Sequence, residues 1–270
     1  MLVHESNAAY HASRPLSKTR LWRIIEKNPR YFHHCETNPP PRTPAMLLGS
    51  VFHKLVLEPS DFGREFAVMP SIDRRTSEGK AAWSAFTEAN AGREIVPADV
   101  YAQANEMAKA VLSNKLAAYL CGGEAEVSCY FEDEITGLAC KARPDSFREL
   151  RGRGLIVDLK SCTSAKTEDF MRDALSFGYD MQAALYRYGC ERVRGMDCDF
   201  VFIAVEKEPP HLVNVVQAQP AFLTRGYDLM REALGTVKHC RETGVWYDYN
   251  GENDVIGELN LPKWLAEQYE

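Results

Sequence analysis

Residues 141–161 read KARPDSFRELRGRGLIVDLKS and place charged side chains inside an apolar, strand-like run. Asp158 and Lys160 belong to the segment LIVDLKS, and Asp145 stands upstream in an Arg-Pro-Asp triplet. Side chains alternate along a strand, so residues 158 and 160 project from the same face. Burying unpaired charges is strongly unfavourable. The pattern therefore predicts that this strand carries a functional site.

The chemistry of these three side chains indicates the kind of site. Asp145 precedes a short hairpin that leads back to Asp158, so we expect the two carboxylates to approach each other. A hard divalent cation relieves the repulsion between neighbouring carboxylates, and Mg²⁺ needs few protein ligands. Lys160 would position or deprotonate a water, or stabilise charge that develops on a phosphate. These groups predict a site for phosphodiester hydrolysis; the alternative is a salt bridge on a sheet edge.

The composition of the 270-residue chain, with 45% hydrophobic and 26% charged residues, is typical of a water-soluble protein. No run approaches the roughly 20 apolar residues that cross a bilayer, and the N-terminus lacks an apolar signal core, so we expect no export. The eight cysteines form no CxxC pair, which favours small core residues over a zinc or iron–sulfur site. The net charge of −6 excludes a broadly basic coat for nucleic acid, but not a local basic channel.

Helical patterns dominate the first 120 residues of the chain. We predict a helix that begins at Ser17 or Thr19 and ends at Pro29. A buried helix is predicted over residues 45–59, and a further helix over residues 97–120, which Gly122 and Gly123 stop.

Strand patterns follow, over residues 125–134, 135–147 and 155–162, before a helix on both sides of Gly178, two further strands and a long helix. This order predicts an α/β (α+β) fold with a mixed central sheet flanked by helices. We expect one domain over residues 1–270. It would comprise a helical N-terminal subregion (1–120), a catalytic sheet core (121–220) and a C-terminal helix and tail (221–270).

The triplet RPD followed by IVDLKS resembles the core of the PD-(D/E)xK nuclease superfamily, with its restriction-endonuclease-like fold. The segments LLGSVFHKLVLEP, AEVSCYFEDEITGLACKARPD and YDMQAALYRYG resemble the RecE-type exonuclease VIII family of phage and prophage recombination nucleases. The N-terminal segment NAAYHASRPLSKTRLWRIIEKNPRYF is similar to that family as well, so the resemblance covers residues 6–207. It implies a Mg²⁺-dependent exonuclease, with Mn²⁺ as a substitute, that digests one strand of duplex DNA from its 5′ end.

The resemblance also implies a set of metal ligands. Asp145 and Asp158 would hold the metal, and Glu126 would be a further acidic ligand, with Glu124 as its nearest competitor. His53 would lie near the metal from the preceding helix, although a lone histidine is otherwise read as a core residue. Some relatives carry Glu where this chain has Asp158, a difference that affects the distance to the metal.

Three further residues receive catalytic roles from the resemblance. Lys160 would act on the attacking water, and Gln182 and Tyr186 would line the site from the helix after the D-x-K strand. Residues four apart share one helix face, so the pair can act together. An ordinary helix surface is the alternative for this pair.

Candidate DNA contacts lie at the start of the first predicted helix, where backbone N–H groups favour anions. We expect Ser17, Thr19 or Arg20 to contact the DNA backbone or a 5′-terminal phosphate, unless they only cap a solvated helix. Arg42 follows the proline run, and Arg143 is close enough to Asp145 to face the substrate. Phosphate contacts would make binding independent of sequence and strongly dependent on salt.

The resemblance implies partners too: double-stranded DNA ends, a single-strand annealing protein and further copies of the chain. We predict a homo-oligomeric ring, most simply a tetramer, in the cytoplasm of a bacterial host cell. One alternative is a different PD-(D/E)xK nuclease, of the CRISPR-adaptation or helicase-associated type, which often carries a four-cysteine iron–sulfur cluster. The other is a catalytically inactive DNA-binding assembly module.

Overall fold

The computed structural model describes residues 1–253 and 255–268. The helices are α1 (Asn7–Ala12), α2 (Lys18–Glu26), α3 (Pro29–Thr37), α4 (Pro44–Leu57), α5 (Phe62–Glu65), α6 (Ser77–Ala89), α7 (Ala98–Ser113), α8 (Lys115–Cys121), α9 (Thr167–Ser176), α10 (Tyr179–Arg194), α11 (Pro220–Thr243) and α12 (Lys263–Ala266). The strands are β1 (Leu2–Val3), β2 (Phe66–Val68), β3 (Glu94–Val96), β4 (Glu124–Ala125), β5 (Ser128–Glu132), β6 (Ala139–Ala142), β7 (Ser146–Leu150), β8 (Arg153–Cys162), β9 (Cys198–Glu206) and β10 (Val213–Gln217).

The central sheet has five strands in the order β10-β9-β8-β7-β4. β8 and β9 run parallel, and the other neighbours in the sheet are antiparallel. Helix α10 lies between β8 and β9 in the chain and makes the crossover that a parallel pair requires. The structure thus confirms the predicted mixed sheet flanked by helices.

A small antiparallel sheet, β1-β5-β6, takes part of the predicted strand 135–147 away from the central sheet. β6 pairs with β5, whereas β7 pairs with β8, so the single predicted strand is divided in two. Pro144 lies in the break, where it has no N–H to donate to a ladder. Asp145 therefore stands at the junction between two sheets and not, as predicted, at the end of one strand.

The two faces of the central sheet are covered by different helices. Val157 and Leu159 of β8 pack in one core with residues of α4, α7 and α8. Ile156 of β8 packs in a second core with α9 and α10. Because side chains alternate, Asp158 and Lys160 share one face of β8, as the sequence predicted, and that face is the α10 side.

An outer layer of helices covers α10. Leu21 of α2 and Phe32 of α3 are buried against Met181 and Leu185 of α10 and against Met230 of α11. The C-terminal helix therefore packs directly on the helix that carries Gln182. The division of the chain into subregions at residues 120 and 220 stays a prediction.

Two predicted helix boundaries need correction. Pro29 was predicted to end a helix, but it is the first residue of the next helix, α3. The N-cap residue of α3, Asn28, accepts a hydrogen bond from the backbone N–H of Tyr31 at 2.8 Å. Proline is tolerated at this first position, where its missing N–H would have no helical partner. The predicted helix 97–120 is divided at Asn114, whose side chain caps α8 by accepting from Leu116 and Ala117.

The eight cysteines are buried free thiols, in agreement with their prediction as core residues. Among the residues that the structure describes, no helix has the length and apolar character needed to span a bilayer.

Candidate active site

Asp145 occupies the junction between the two sheets and is held by groups from two other elements. His53 Nδ1, on α4, lies 3.2 Å from Asp145 Oδ1, and the backbone N–H of Leu159 donates to Oδ2 at 2.6 Å. Burial alone would raise the pKa of Asp145, but the charge and hydrogen bond of His53 keep it below its ordinary value. The carboxylate is therefore ionised at neutral pH.

Glu126 lies beside Asp145 in the gap between β4 and β5, not within a strand as predicted. Its backbone is left-handed (φ 54°), and its N–H donates to the carbonyl of Asp145 at 3.2 Å. Arg143 Nε lies 2.7 Å from its carboxylate. Burial raises the pKa of Glu126 to about 7, and the charge of Asp145 adds to the shift. The competing residue, Glu124, pairs instead with Arg194 at 2.7 Å.

His53, Glu126 and Asp145 each direct one ligating atom to a common point. These atoms lie within 4.8 Å of one another. Carboxylate oxygens and an imidazole nitrogen are ligands that divalent metals accept. Burial, followed by the charge of Asp145, raises the pKa of Glu126, and a cation at this point would oppose both effects. Asp158, the fourth predicted ligand, does not belong to this group in the described part of the chain.

Asp158 forms the second half of the site, on the neighbouring strand. Its side chain is almost fully buried, and Gln182 Nε2 donates to Oδ1 at 2.5 Å. The ammonium of Lys160 forms an ion pair with Oδ2. Burial raises the pKa of Asp158 to about 6. A cation beside this carboxyl would favour its ionised form.

Lys160 is a partly buried cation between acidic and aromatic groups. Burial would lower its pKa, but Asp158, Tyr179 and Asp145 together raise it above the ordinary lysine value. Its Nζ lies 4.7 Å from the centre of the Tyr179 ring. At neutral pH Lys160 is therefore charged, which suits the stabilisation of an anion better than the removal of a proton.

Gln182 and Tyr186 lie on the face of α10 that is turned to the site. Gln182 orients Asp158 through the hydrogen bond described above. Burial, followed by the charges of surrounding acidic groups, raises the pKa of Tyr186 well above its ordinary value, so its hydroxyl keeps its proton. The prediction that these two residues share a helix face agrees with the structure.

Two of the three predicted DNA contacts at the start of α2, Ser17 and Arg20, are engaged within the protein. Ser17 caps α2 by accepting from the backbone N–H of Arg20 at 3.5 Å, and Thr19 is exposed. Arg20 Nε donates to Glu36 at 2.9 Å, and its guanidinium also binds the carbonyls of Arg14 and Pro15. The contact of these three residues with DNA stays a prediction.

The two other predicted arginine contacts also have partners. Arg42 pairs with Glu94 and donates to Ser50 Oγ at 2.5 Å. Arg143 is buried and holds Glu126, so its charge belongs to the acidic site and not to an exposed DNA surface.

Tyr179 was missed by the sequence analysis, although it lies three residues before Gln182 and thus on the same helix face. The backbone N–H of Leu159 was missed too, because no side-chain pattern reports the direction of a backbone donor. The spacing Tyr179, Gln182 and Tyr186 was the signal that could have found the tyrosine.

A mixed sheet with acidic residues at a strand junction and a D-x-K strand defines a PD-(D/E)xK-like domain. The family model described as "PDDEXK-like domain of unknown function (DUF3799)" matches residues 30–258. The chain therefore belongs to this family. The match supports the predicted superfamily, while the closer resemblance to the RecE-type family stays a prediction.

Comparison with solved structures supports the same fold. A crystal structure described as "Putative exonuclease" from Eubacterium rectale matches with a TM-score of 0.65 and 14% identity, over 98% of both chains. A structure described as SSO0001 matches with a TM-score of 0.30 and 15% identity, over 70% of this chain and 86% of that chain, which is too low to support an argument. No curated protein matched the sequence significantly.

Proposed function

We propose that this protein is a Mg²⁺-dependent nuclease that hydrolyses phosphodiester bonds in DNA. One observation carries the proposal: His53, Glu126 and Asp145 converge beside the ion pair of Asp158 and Lys160. Burial raises the pKa values of Glu126 and Asp158, and a cation between the carboxyls would favour their ionised forms. Such clusters of perturbed groups are typical of functional sites.

The residues divide the chemical work between them. His53, Glu126 and Asp145 would hold the metal, with Asp158 contributing Oδ2; Mg²⁺ suits the carboxylates, and Mn²⁺ accepts the imidazole more readily. The metal supplies activation of a water and neutralisation of charge on the phosphate. Lys160, which is charged, donates to a phosphate oxygen as negative charge develops. Gln182 fixes the carboxylate of Asp158, and Arg143 fixes that of Glu126.

The finer proposal is a 5′-to-3′ exonuclease that resects linear duplex DNA to single strands for recombination by strand annealing. Support comes from the ordered RecE-type motifs over residues 6–207 and from a fold shared with a protein described as a "Putative exonuclease". The annealing partner, the tetrameric ring and the cytoplasm of a bacterial host belong to this proposal and rest on the resemblance.

The test uses linear duplex DNA labelled at the 5′ or the 3′ end, with and without a 5′ phosphate, in Mg²⁺ and then in EDTA. We expect mononucleotide release from the 5′ label in Mg²⁺ only, and no digestion of a covalently closed circle. Asp158→Ala should abolish cleavage, while the matched control Glu124→Gln should retain it, because Glu124 pairs with Arg194 away from the acidic group.

Other outcomes separate the alternatives. Cleavage that persists in EDTA or in Asp158→Ala would contradict the assigned site. Binding of duplex DNA without cleavage in either metal would favour the inactive assembly module. Release from the 3′ label alone would keep the nuclease and overturn its polarity.

A further inference from the structure

The corner between α9 and α10 carries an aromatic and cationic cluster that the hydrolytic chemistry does not use. Phe177 is 54% exposed although it is a large apolar residue. The next residue, Gly178, is left-handed (φ 65°), and a Cβ there would lie 2.3 Å from the Trp22 ring. The corner is thus pressed against α2, which leaves the Phe177 side chain directed away from the core.

Lys18 joins this corner to the candidate active site. Its ammonium donates to the carbonyl of Phe177 and lies 5.1 Å from the Trp22 ring centre and 5.6 Å from that of Tyr179. Within residues 1–253 and 255–268, Lys18 forms no ion pair with a carboxylate. Lys160 approaches the same tyrosine ring, at 4.7 Å from its centre. Two ammonium groups therefore border one aromatic ring, one of them in the active site.

We propose that Phe177 and Lys18 form a binding subsite for one nucleotide of the substrate strand, next to the bond that is cut. This inference rests on the proposed function and specifies where one nucleotide of the substrate binds. Lys160 is paired with Asp158, whereas Lys18 contacts only a backbone carbonyl and two aromatic rings, so a phosphate of the substrate would supply its missing counter-charge. The exposed ring of Phe177 beside it offers a surface on which a base stacks. Stacking accepts any base, so the subsite adds affinity without sequence preference.

The proposed stacking of a base on Phe177 is tested by measuring binding under conditions that prevent hydrolysis. The full-length protein is titrated in Ca²⁺ into a DNA oligonucleotide that carries 2-aminopurine at its terminal position. We expect the wild type to quench the fluorescence, and Phe177→Ala to lose the quenching and to bind about tenfold more weakly. Tyr249→Ala is the matched control, because Tyr249 is an exposed aromatic residue of the C-terminal segment. Equal quenching and affinity in Phe177→Ala would overturn the subsite.

Lys18 is tested by the salt dependence of the same binding. Lys18→Gln should lower the slope of log Kd against log salt concentration by about one, which corresponds to the loss of one phosphate contact. It should also raise KM about tenfold with little change in kcat. Lys18→Arg should restore most of the slope, which a purely structural role would not require. An unchanged slope in a Lys18→Gln protein that melts like the wild type would overturn the role of Lys18.

The two proposals fail differently. If the wild type digests DNA while both variants bind and cut like it, the subsite is wrong and the nuclease stands. If the wild type never cuts but its 2-aminopurine quenching depends on Phe177, the hydrolytic assignment is wrong and the subsite stands.

Discussion

Opposite pKa shifts distinguish the acidic residues of the candidate site from one another. Asp145, which accepts from a backbone N–H and pairs with His53, has a lowered pKa, whereas burial raises the pKa of Glu126 to about 7 and that of Asp158 to about 6. Burial alone would lower the pKa of His53, but the charge and hydrogen bond of Asp145 raise it to about 8. Without a cation, the site therefore holds protons that a metal would displace.

These shifts predict how metal affects stability as pH changes. A carboxyl whose pKa is raised on folding contributes stability below its unfolded pKa and loses it as pH rises through the folded value. As the pH rises from about 4 to about 7, Glu126 and Asp158 should therefore lower the free energy of unfolding of the metal-free protein. The pKa of His53 is raised as well, so its contribution to stability is lost as the pH rises through about 8. We expect the Tm in EDTA to fall from about pH 5 to about pH 8.

Added Mg²⁺ or Mn²⁺ should reverse this loss, because it competes with the same protons. The increase in Tm on adding metal should be larger at about pH 8 than at about pH 6, measured by differential scanning calorimetry. Asp158→Asn should reduce the increase, and Glu124→Gln should leave it unchanged. An increase that is independent of pH would contradict the assigned ligands.

We expect Lys160 to stabilise the transition state of hydrolysis and not to bind the metal. Lys160→Met should lower kcat by about 10²- to 10³-fold while metal affinity, measured by calorimetry, is retained. The neighbouring Lys166, which is exposed and pairs with Glu168, is the control: Lys166→Met should keep full activity. Loss of metal binding in Lys160→Met would show that the lysine organises the acids instead.

At the scale of elements, the packing of α11 on α10 supports the helix that carries Gln182. Gly226 lies at this contact, where a Cβ would come 2.0 Å from the carbonyl oxygen of Asp180. Gly235 lies in the same helix with no atom within 4 Å of such a Cβ. The two glycines therefore differ in packing while they share a helical backbone.

Substitution of these glycines should change stability in opposite directions. Gly226→Ala forces the helices apart and should lower the free energy of unfolding by about 1–3 kcal/mol. Gly235→Ala removes backbone freedom from the unfolded chain and should raise it by about 0.5–1 kcal/mol. Urea denaturation measures both, and a loss of stability in both variants would contradict the packing difference.

At the scale of the whole molecule, a net charge of −6 must be reconciled with binding to a polyanion. Arg20, Arg42 and Arg143 are paired with acidic residues, which reduces the free positive charge that could meet a polyanion. A ring with basic groups turned inward would satisfy both requirements, and it remains the reason for proposing several copies of the chain.

The oligomer prediction is tested in solution. Sedimentation equilibrium should give four times the mass of the chain, and DNA affinity should fall steeply as salt concentration rises. A monomer at every concentration would remove the ring from the proposed function but would leave the chemistry of the site in place.

The sequence by itself determined the helical first part of the chain, the later alternation of strands and helices and the D-x-K strand, because alternation and helical spacing are local properties of the chain. It also identified Asp145, Asp158, Lys160, Gln182 and His53 as candidates for one site. Glu126 was named as well, but its left-handed backbone was not predicted, since that conformation depends on the strands on either side of it.

Tertiary structure decided how these residues meet. It divided the strand at Pro144, placed Asp145 between α4 and β8, and set Asp158 apart from the group of His53, Glu126 and Asp145. It also used Arg20 and Arg42 in ion pairs with Glu36 and Glu94, partners distant in sequence. Side-chain partners across a fold, and the burial that shifts their pKa values, arise from contacts between distant segments, which local sequence patterns do not encode.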